Sequence, residues 1–129
     1  MQIEHLALWT PDLERARAFY AAWFGAEAGA PYHNPRSGFG SYFLRFAGGP
    51  RLELMQRPDV GPRSEGPERE MHGLAHFAVA LGSEAAVDDL TERMRAAGVT
   101  VLSAPRRTGD GYYESVVLDP DGNRLELTV

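Results

Sequence analysis

Arg51-Leu52-Glu53-Leu54 returns as Arg124-Leu125-Glu126-Leu127, and each tetrapeptide closes a half of the chain that opens on a histidine in an apolar run. Those openings are His5-Leu6-Ala7-Leu8 and His76-Phe77-Ala78-Val79. Further landmarks line up once the halves are laid over each other: Gly25 with Gly98, Gly49 with Gly122, Glu53 with Glu126. The offset grows by two residues between the histidines and the glycines, which a longer second helix explains. The chain is one unit written twice, and each copy carries one imidazole and one carboxylate at equivalent places.

Composition narrows the possibilities further. A length of 129 residues, 43% hydrophobic and 24% charged, describes one ordinary globular domain with enough apolar material for a core. No stretch approaches the roughly 18 to 20 apolar residues that span a bilayer, and no basic, apolar and small-residue leader opens the sequence, so a cytoplasmic protein without membrane contact is expected. With no cysteine there is no disulfide, no thiolate zinc site and no cysteine nucleophile. Any metal must rest on nitrogen and oxygen donors. The net charge of −5 and the absence of a basic run longer than Arg106-Arg107 exclude the electrostatic footprint of a nucleic-acid binder. All basic residues are arginines, so lysine chemistry is excluded as well.

Each half reads as strand, helix and three strands. Residues 2–9 alternate around His5, and Thr10-Pro11-Asp12 offers a helix start with Thr10 as cap, Pro11 at the first helical position and Asp12 in the first turn. Leu13, Ala16, Tyr20, Trp23 and Phe24 keep a helical period up to Gly25, a left-handed cap. Ser83 opens the second helix, which turns Val87, Leu90, Met94 and Ala97 to one side and closes at Gly98. Strands are expected at about 27–32, 39–47 and 50–57, then at 99–104, 112–119 and 123–128, with the last hairpin turning at Asp119-Pro120-Asp121-Gly122-Asn123. The aperiodic stretch 58–71 links a first module, 1–57, to a second, 72–129.

Strand parity says where the repeated polar residues point. Leu6, Leu8, Leu52, Leu54, Phe77, Val79, Leu125 and Leu127 want to meet the helices, which leaves His5, Glu53, His76 and Glu126 on the opposite face with Ala7, Trp9, Met55, Ala78 and Thr128. Two carboxylates turned into a shared concavity repel each other and lose solvation, costing several kcal/mol per ion unless a cation joins them. Two imidazoles and two carboxylates suit one divalent ion per site, Ni²⁺, Co²⁺, Zn²⁺, Mn²⁺ or Fe²⁺, and donor type alone does not choose among them. The plain alternative for any one of the four is a polar residue on a wetted strand end.

This pattern resembles the vicinal oxygen chelate superfamily, which comprises glyoxalases, bleomycin-resistance proteins and extradiol dioxygenases, and most closely its glyoxalase I-like branch. The likeness rests on His5, Glu53, His76 and Glu126 together with Phe19-Tyr20, Gly25 and Leu118-Asp119-Pro120-Asp121-Gly122-Asn123. It implies an α+β fold of two βαβββ modules forming a cupped, eight-stranded, barrel-like mixed sheet with helices outside. It also implies a homodimer, with sites built within one chain or shared between two. By the same resemblance Glu126 is the base that moves a proton between adjacent carbons of a small 2-oxo compound or thiol hemithioacetal, with Glu53 as its partner.

A neutral donor set acidifies bound water less than three imidazoles would, which favours isomerase or lyase chemistry over hydrolysis. Trp9 and Arg57 stand where glutathione-specific relatives carry arginine and asparagine, so glutathione hemithioacetal leads only narrowly over another thiol adduct or a small 2-oxo compound. Trp9, Met55, Arg57, Arg107 and Tyr112 are the candidate substrate contacts. Arg106, Arg107, Tyr112 and Tyr113 flank Gly109-Asp110-Gly111, either a loop over the cavity or a plain hairpin with exposed arginines and packed tyrosines. His33 and His72 read as surface histidines. Three rival functions remain: a metal-dependent dioxygenase, an epoxide-opening antibiotic-modifying enzyme, and a non-enzymatic drug-binding protein of the bleomycin-resistance kind. Glu53 disfavours the first two, because it fills a position they leave open, and retention of all four donors disfavours the third.

Overall fold

Alternating burial along short strands, with a helix laid over the buried side, organises each half. The computed structural model describes residues 1–62, 65–67 and 69–129, and two units are distinguished, Met1–Arg63 and Ser64–Val129. Arg63, Ser64 and Glu68, all within the expected 58–71 linker, lie outside the described residues.

The first unit runs β1 (His5–Trp9), α1 (Leu13–Phe24), β2 (Glu27–Ala28), β3 (Tyr32–Asn34), β4 (Phe39–Arg45) and β5 (Arg51–Gln56). Its mixed sheet has the order β1-β5-β4-β2, with β3 also on β4. β1 and β5 are parallel and the other pairs antiparallel. The second unit runs β6 (Phe77–Ala80), α2 (Glu84–Ala96), β7 (Val101–Arg107), β8 (Tyr113–Leu118) and β9 (Arg124–Thr128). Its sheet, β6-β9-β8-β7, again makes its first strand parallel to its last. The two βαβββ modules and their mixed sheets are those expected, with two differences: among the described residues the strands number nine rather than eight, and they form two sheets, one per unit.

The ninth strand arises where one was expected over 27–32. Gly29 still donates to Phe43 O at 3.0 Å, but Pro31 has no N–H to offer a ladder, so pairing lapses and resumes at Tyr32. The helix starts differ as well. Asp12, not Thr10, caps α1: its carboxylate accepts from Arg15 N at 3.0 Å, while the Thr10 hydroxyl accepts from Asp12 N. Pro11 stays outside the helix, its carbonyl accepting from Gln56 Nε2. Ser83 caps α2 through Ala86 N, as its sequence suggested. Gly25 takes the left-handed conformation, φ 62°, and lets the chain turn off α1 into β2.

Packing on the helix side defines each core. Ala16 and Tyr20 of α1 are buried with Leu8, Leu44, Leu52 and Leu54; Val87, Leu90 and Met94 of α2 with Val117, Leu125 and Leu127. Each leucine withdrawn from water contributes roughly 1.5–3 kcal/mol before entropy is counted. One polar pair sits inside the second core: the Thr91 hydroxyl bonds Val87 O and the Ser115 hydroxyl, both at 2.6 Å. The turn into β9 is tied by Asp119, which accepts from the amides of Asp121 and Asn123 and from Asn123 Nδ2. Among the described residues no helix is long and apolar enough to cross a membrane.

Candidate functional site

Register decides what meets on the uncovered face. In the first unit Ala7 pairs with Glu53, so His5, two residues earlier on β1, lies diagonally across from Glu53 on the same side of the sheet. In the second unit Ala78 pairs with Glu126, and His76, which immediately precedes β6, approaches Glu126 from the corresponding position. Alanine at both intervening positions leaves the space between imidazole and carboxylate open. His5 Nε2 is 3.9 Å from Glu53 Oε2, and His76 Nε2 is 3.1 Å from Glu126 Oε2. The histidine side chains are 39% and 45% exposed, whereas both carboxylates are only 15% exposed, recessed into the sheet by their strand neighbours.

The surroundings of the two pairs differ. His5 Nδ1 donates to Glu4 Oε2 at 2.5 Å, and Glu4 also pairs with Arg51. A carboxylate can only accept, so Nδ1 is the donor in this contact, which holds the ring with Nε2 toward Glu53. The hydrogen bond from His5, aided by that of Arg51 and opposed by partial desolvation, holds the Glu4 carboxyl below its ordinary pKa. Phe43, opposite Glu53, packs edge-on against the His5 ring with centroids 5.4 Å apart, and the Arg51 guanidinium lies over the Phe43 ring at 4.1 Å.

In the second unit Val116 takes the place opposite Glu126, and the extra acid comes from β8 instead. Glu114 pairs with Thr128, puts its side chain on the face of Glu126, and shares a hydrogen bond with it when one of the two carboxyls is protonated. Burial first, and then the charge of Glu114, raise the Glu126 carboxyl above its ordinary pKa, while His76 acts in the opposite direction. Arg106 Nη2 is 3.5 Å from Glu114 Oε1.

The other anticipated contacts divide by parity. Trp9 and Met55 are register partners on the face of His5 and Glu53, and Trp9, 41% exposed, packs edge-on against Phe39. Arg57 pairs with Asp59 and stacks over the Trp9 ring at 5.4 Å. Arg107 turns to the helix side, where it pairs with Glu84 of α2, and its register partner Tyr113 donates to Asp88 of the same helix. Tyr112 is exposed. Residues 106–113 form a hairpin closed by Thr108 N to Tyr112 O and Gly111 N to Thr108 O. The strand expected to end at 104 runs on to Arg107, and it is Arg106 rather than Arg107 that shares the face of Glu126. His33 and His72 are exposed.

The structure therefore brings His5 to Glu53 and His76 to Glu126. Among the described residues it gathers no group of three or more His, Asp or Glu side chains able to hold a metal ion. Sequence reasoning missed Glu4, Phe43 and Glu114, and it named Arg106 only beside the 109–111 loop while choosing Arg107 as the contact. Glu4 was legible as an acid adjacent to a ligand-type histidine; Glu114 could have been found by extending strand parity to 112–119, where it shares the phase of Val116.

Comparisons with known proteins place these observations. The profile of the Glyoxalase/Bleomycin resistance protein/Dioxygenase superfamily matches residues 2–127. An uncharacterized protein of Pseudomonas aeruginosa is 37% identical, with 98% of this chain and 86% of that protein aligned. The mitochondrial methylmalonyl-CoA epimerase of Bos taurus is 30% identical over 92% of this chain and 67% of its own length. Among solved structures, a glyoxalase I variant from Zea mays superposes with a TM-score of 0.78 at 26% identity, covering 98% of this chain and 44% of the maize chain.

Proposed function

The chain belongs to the Glyoxalase/Bleomycin resistance protein/Dioxygenase superfamily, and on that premise we propose that it is a metal-dependent lyase or isomerase that transfers a proton within a small 2-oxo compound or thiol hemithioacetal. The superfamily contains enzymes, is often metal-dependent, and its members bind small molecules. One observation carries the finer reading: each module brings the histidine at the start of its first strand against the glutamate of its last, His5 to Glu53 and His76 to Glu126.

The donors suit a divalent ion. Two Nε2 atoms and two recessed carboxylates are borderline-to-hard ligands, and the pair of negative charges offsets the charge of a dication. His5, Glu53, His76 and Glu126 would hold the ion, drawn from one chain or from two chains of a homodimer. When bound, it would polarise a substrate oxygen and so make the neighbouring carbon acid more acidic. Glu126 supplies the base. Its raised pKa brings the carboxylate closer in basicity to a carbon acid than an ordinary glutamate, and its recessed setting limits competition from water. Oε2 takes the proton from one carbon and returns it to the next. Glu53 balances the charge from the other module. The alanines at 7 and 78 leave room beside the imidazoles, while Trp9, Met55 and Arg57 form an apolar wall with a cationic rim suited to an acyl or thiol substituent.

The name of the bovine relative, an epimerase, supports removal and return of a proton at carbon as the reaction class. The test is metal analysis of protein purified without added metal, followed by a turnover screen with methylglyoxal and several low-molecular-weight thiols. Stoichiometric Ni²⁺, Zn²⁺ or Co²⁺ and turnover of at least one adduct are expected. Lack of metal together with retention of an unaltered ligand would replace this reading with a small-molecule binding protein.

A further inference from the structure

The two modules repeat their histidine and glutamate but not what stands behind the glutamate. In the first, the position on β4 paired with Met55 is Ser41, which is buried; in the second, the corresponding position on β8, paired with Thr128, is Glu114. Glu114 is only 14% exposed, it stands diagonally across from Glu126 on the same face, where the two carboxyls share a hydrogen bond when one of them is protonated, and it faces Arg106. The approach of Arg106 requires a deformation of β7. Two register shifts, one between Val101 and Ser103 and one between Ser103 and Arg106, advance that strand until Arg106 pairs with Glu114. Such bulges disrupt the ladder locally, and this strand lies at the sheet edge where Pro105 also denies a donor. The result is a chain of side chains on one sheet face: Arg106, Glu114, Glu126, His76.

We propose that Glu114, braced by Arg106, is a positioning residue that holds the Glu126 carboxyl toward His76. Glutamate has three rotatable side-chain bonds, and a carboxyl on an uncovered sheet face has several staggered positions open to it. A second hydrogen-bonding group across the strand removes most of them. Supporting groups of this kind orient ligand side chains and are expected to change metal affinity about 10- to 100-fold when removed. The inference rests on the functional reading above, in which Glu126 is ligand and base, and it accounts for an asymmetry that a plain repeat would not contain.

The test reads positioning without metal and then with it. In metal-free protein, the imidazole nitrogen resonances of His76, assigned by their loss in H76Q, report its contact with Glu126. In E114A these resonances should move toward those of a histidine lacking a carboxylate partner, in E114Q they should stay near wild type, and in R106A they should move part of the way. Unchanged His76 resonances in folded E114A, or E114Q displaced as far as E114A, would overturn the proposal; E114L serves in place of E114A should thermal melting show the latter unfolded. Calorimetric titration with Co²⁺ forms the second arm. E114A should bind at least about tenfold more weakly and E114Q within about threefold of wild type. Equal or tighter binding by E114A overturns the role. Wild-type protein that takes up no Co²⁺ would sink the metal-dependent reading instead, while the His76 resonances still decide whether Glu114 positions Glu126.

Discussion

His76 Nε2 and Glu126 Oε2 stand 3.1 Å apart across a parallel strand pair, and Ala78, the residue between them in register, has no side chain long enough to intervene. His5 and Glu53 repeat the arrangement with Ala7, at 3.9 Å. Both contacts come from a parallel pairing of each module's first and last strands, which brings residues distant in sequence together.

The glutamates should separate by role. E126Q is expected to lower kcat by at least about a hundredfold, the scale of a lost general base, and E53Q by clearly less. Both variants should retain some metal. Steady-state turnover of the best substrate from the thiol screen, with metal content measured on the same samples, checks this; equal loss of kcat with full metal retention in both would remove the basis for naming Glu126 the base.

Removing the carboxylate behind His5 should act through that ring. E4Q is expected to weaken Co²⁺ binding roughly tenfold. Glu4 is exposed, so the melting temperature should hardly move. Calorimetry and thermal unfolding on one preparation test both statements, and unaltered affinity would mean that Glu4 is a bystander.

Protonation of Glu126 links stability to pH in a definite direction. Burial, reinforced by Glu114, raises its pKa in the folded chain. The folded state thus binds this proton more tightly than the unfolded state, so the contribution favours folding below the ordinary carboxylate pKa and is lost as pH rises through the raised folded value. Metal-free wild type should therefore be less stable than E126Q at neutral pH, with the gap closing as the solution is acidified. Denaturant midpoints of the two proteins across that range decide; a gap independent of pH contradicts the assignment.

The cores should respond by volume. L125A truncates the fully buried side chain next to Glu126 on β9 and is expected to cost about 2–5 kcal/mol. L74A, at an exposed residue, should change stability by less than about 0.5 kcal/mol. Urea unfolding curves give both values.

Much of the architecture could be read from the chain. The leucines flanking Glu53 and Glu126 alternate with them, which specifies which side of each strand is buried. Ser83, Gly25 and Gly98 bound the helices by backbone preferences that act within a few residues. Local rules failed at Thr10, where Thr10 and Asp12 could both cap and only the reach of the Asp12 carboxylate to Arg15 N separated them, and at Pro31, where a missing donor split a strand. Arg107 was misplaced relative to Arg106 because the two bulges in β7 are set by the neighbouring strand.

The sequence by itself determined the repeat, the module order, the buried and uncovered faces, and the two histidines and two glutamates on the latter, since periodicity and turn chemistry are properties of short segments. Tertiary structure alone decided that His5 stands diagonal to Glu53 and that His76 meets Glu126, that Glu4 orients one imidazole, and that Glu114 with Arg106 backs one carboxylate. Those relationships depend on register between strands tens of residues apart, and register is settled by how whole side-chain sets pack and by where bulges fall, information that no single segment carries.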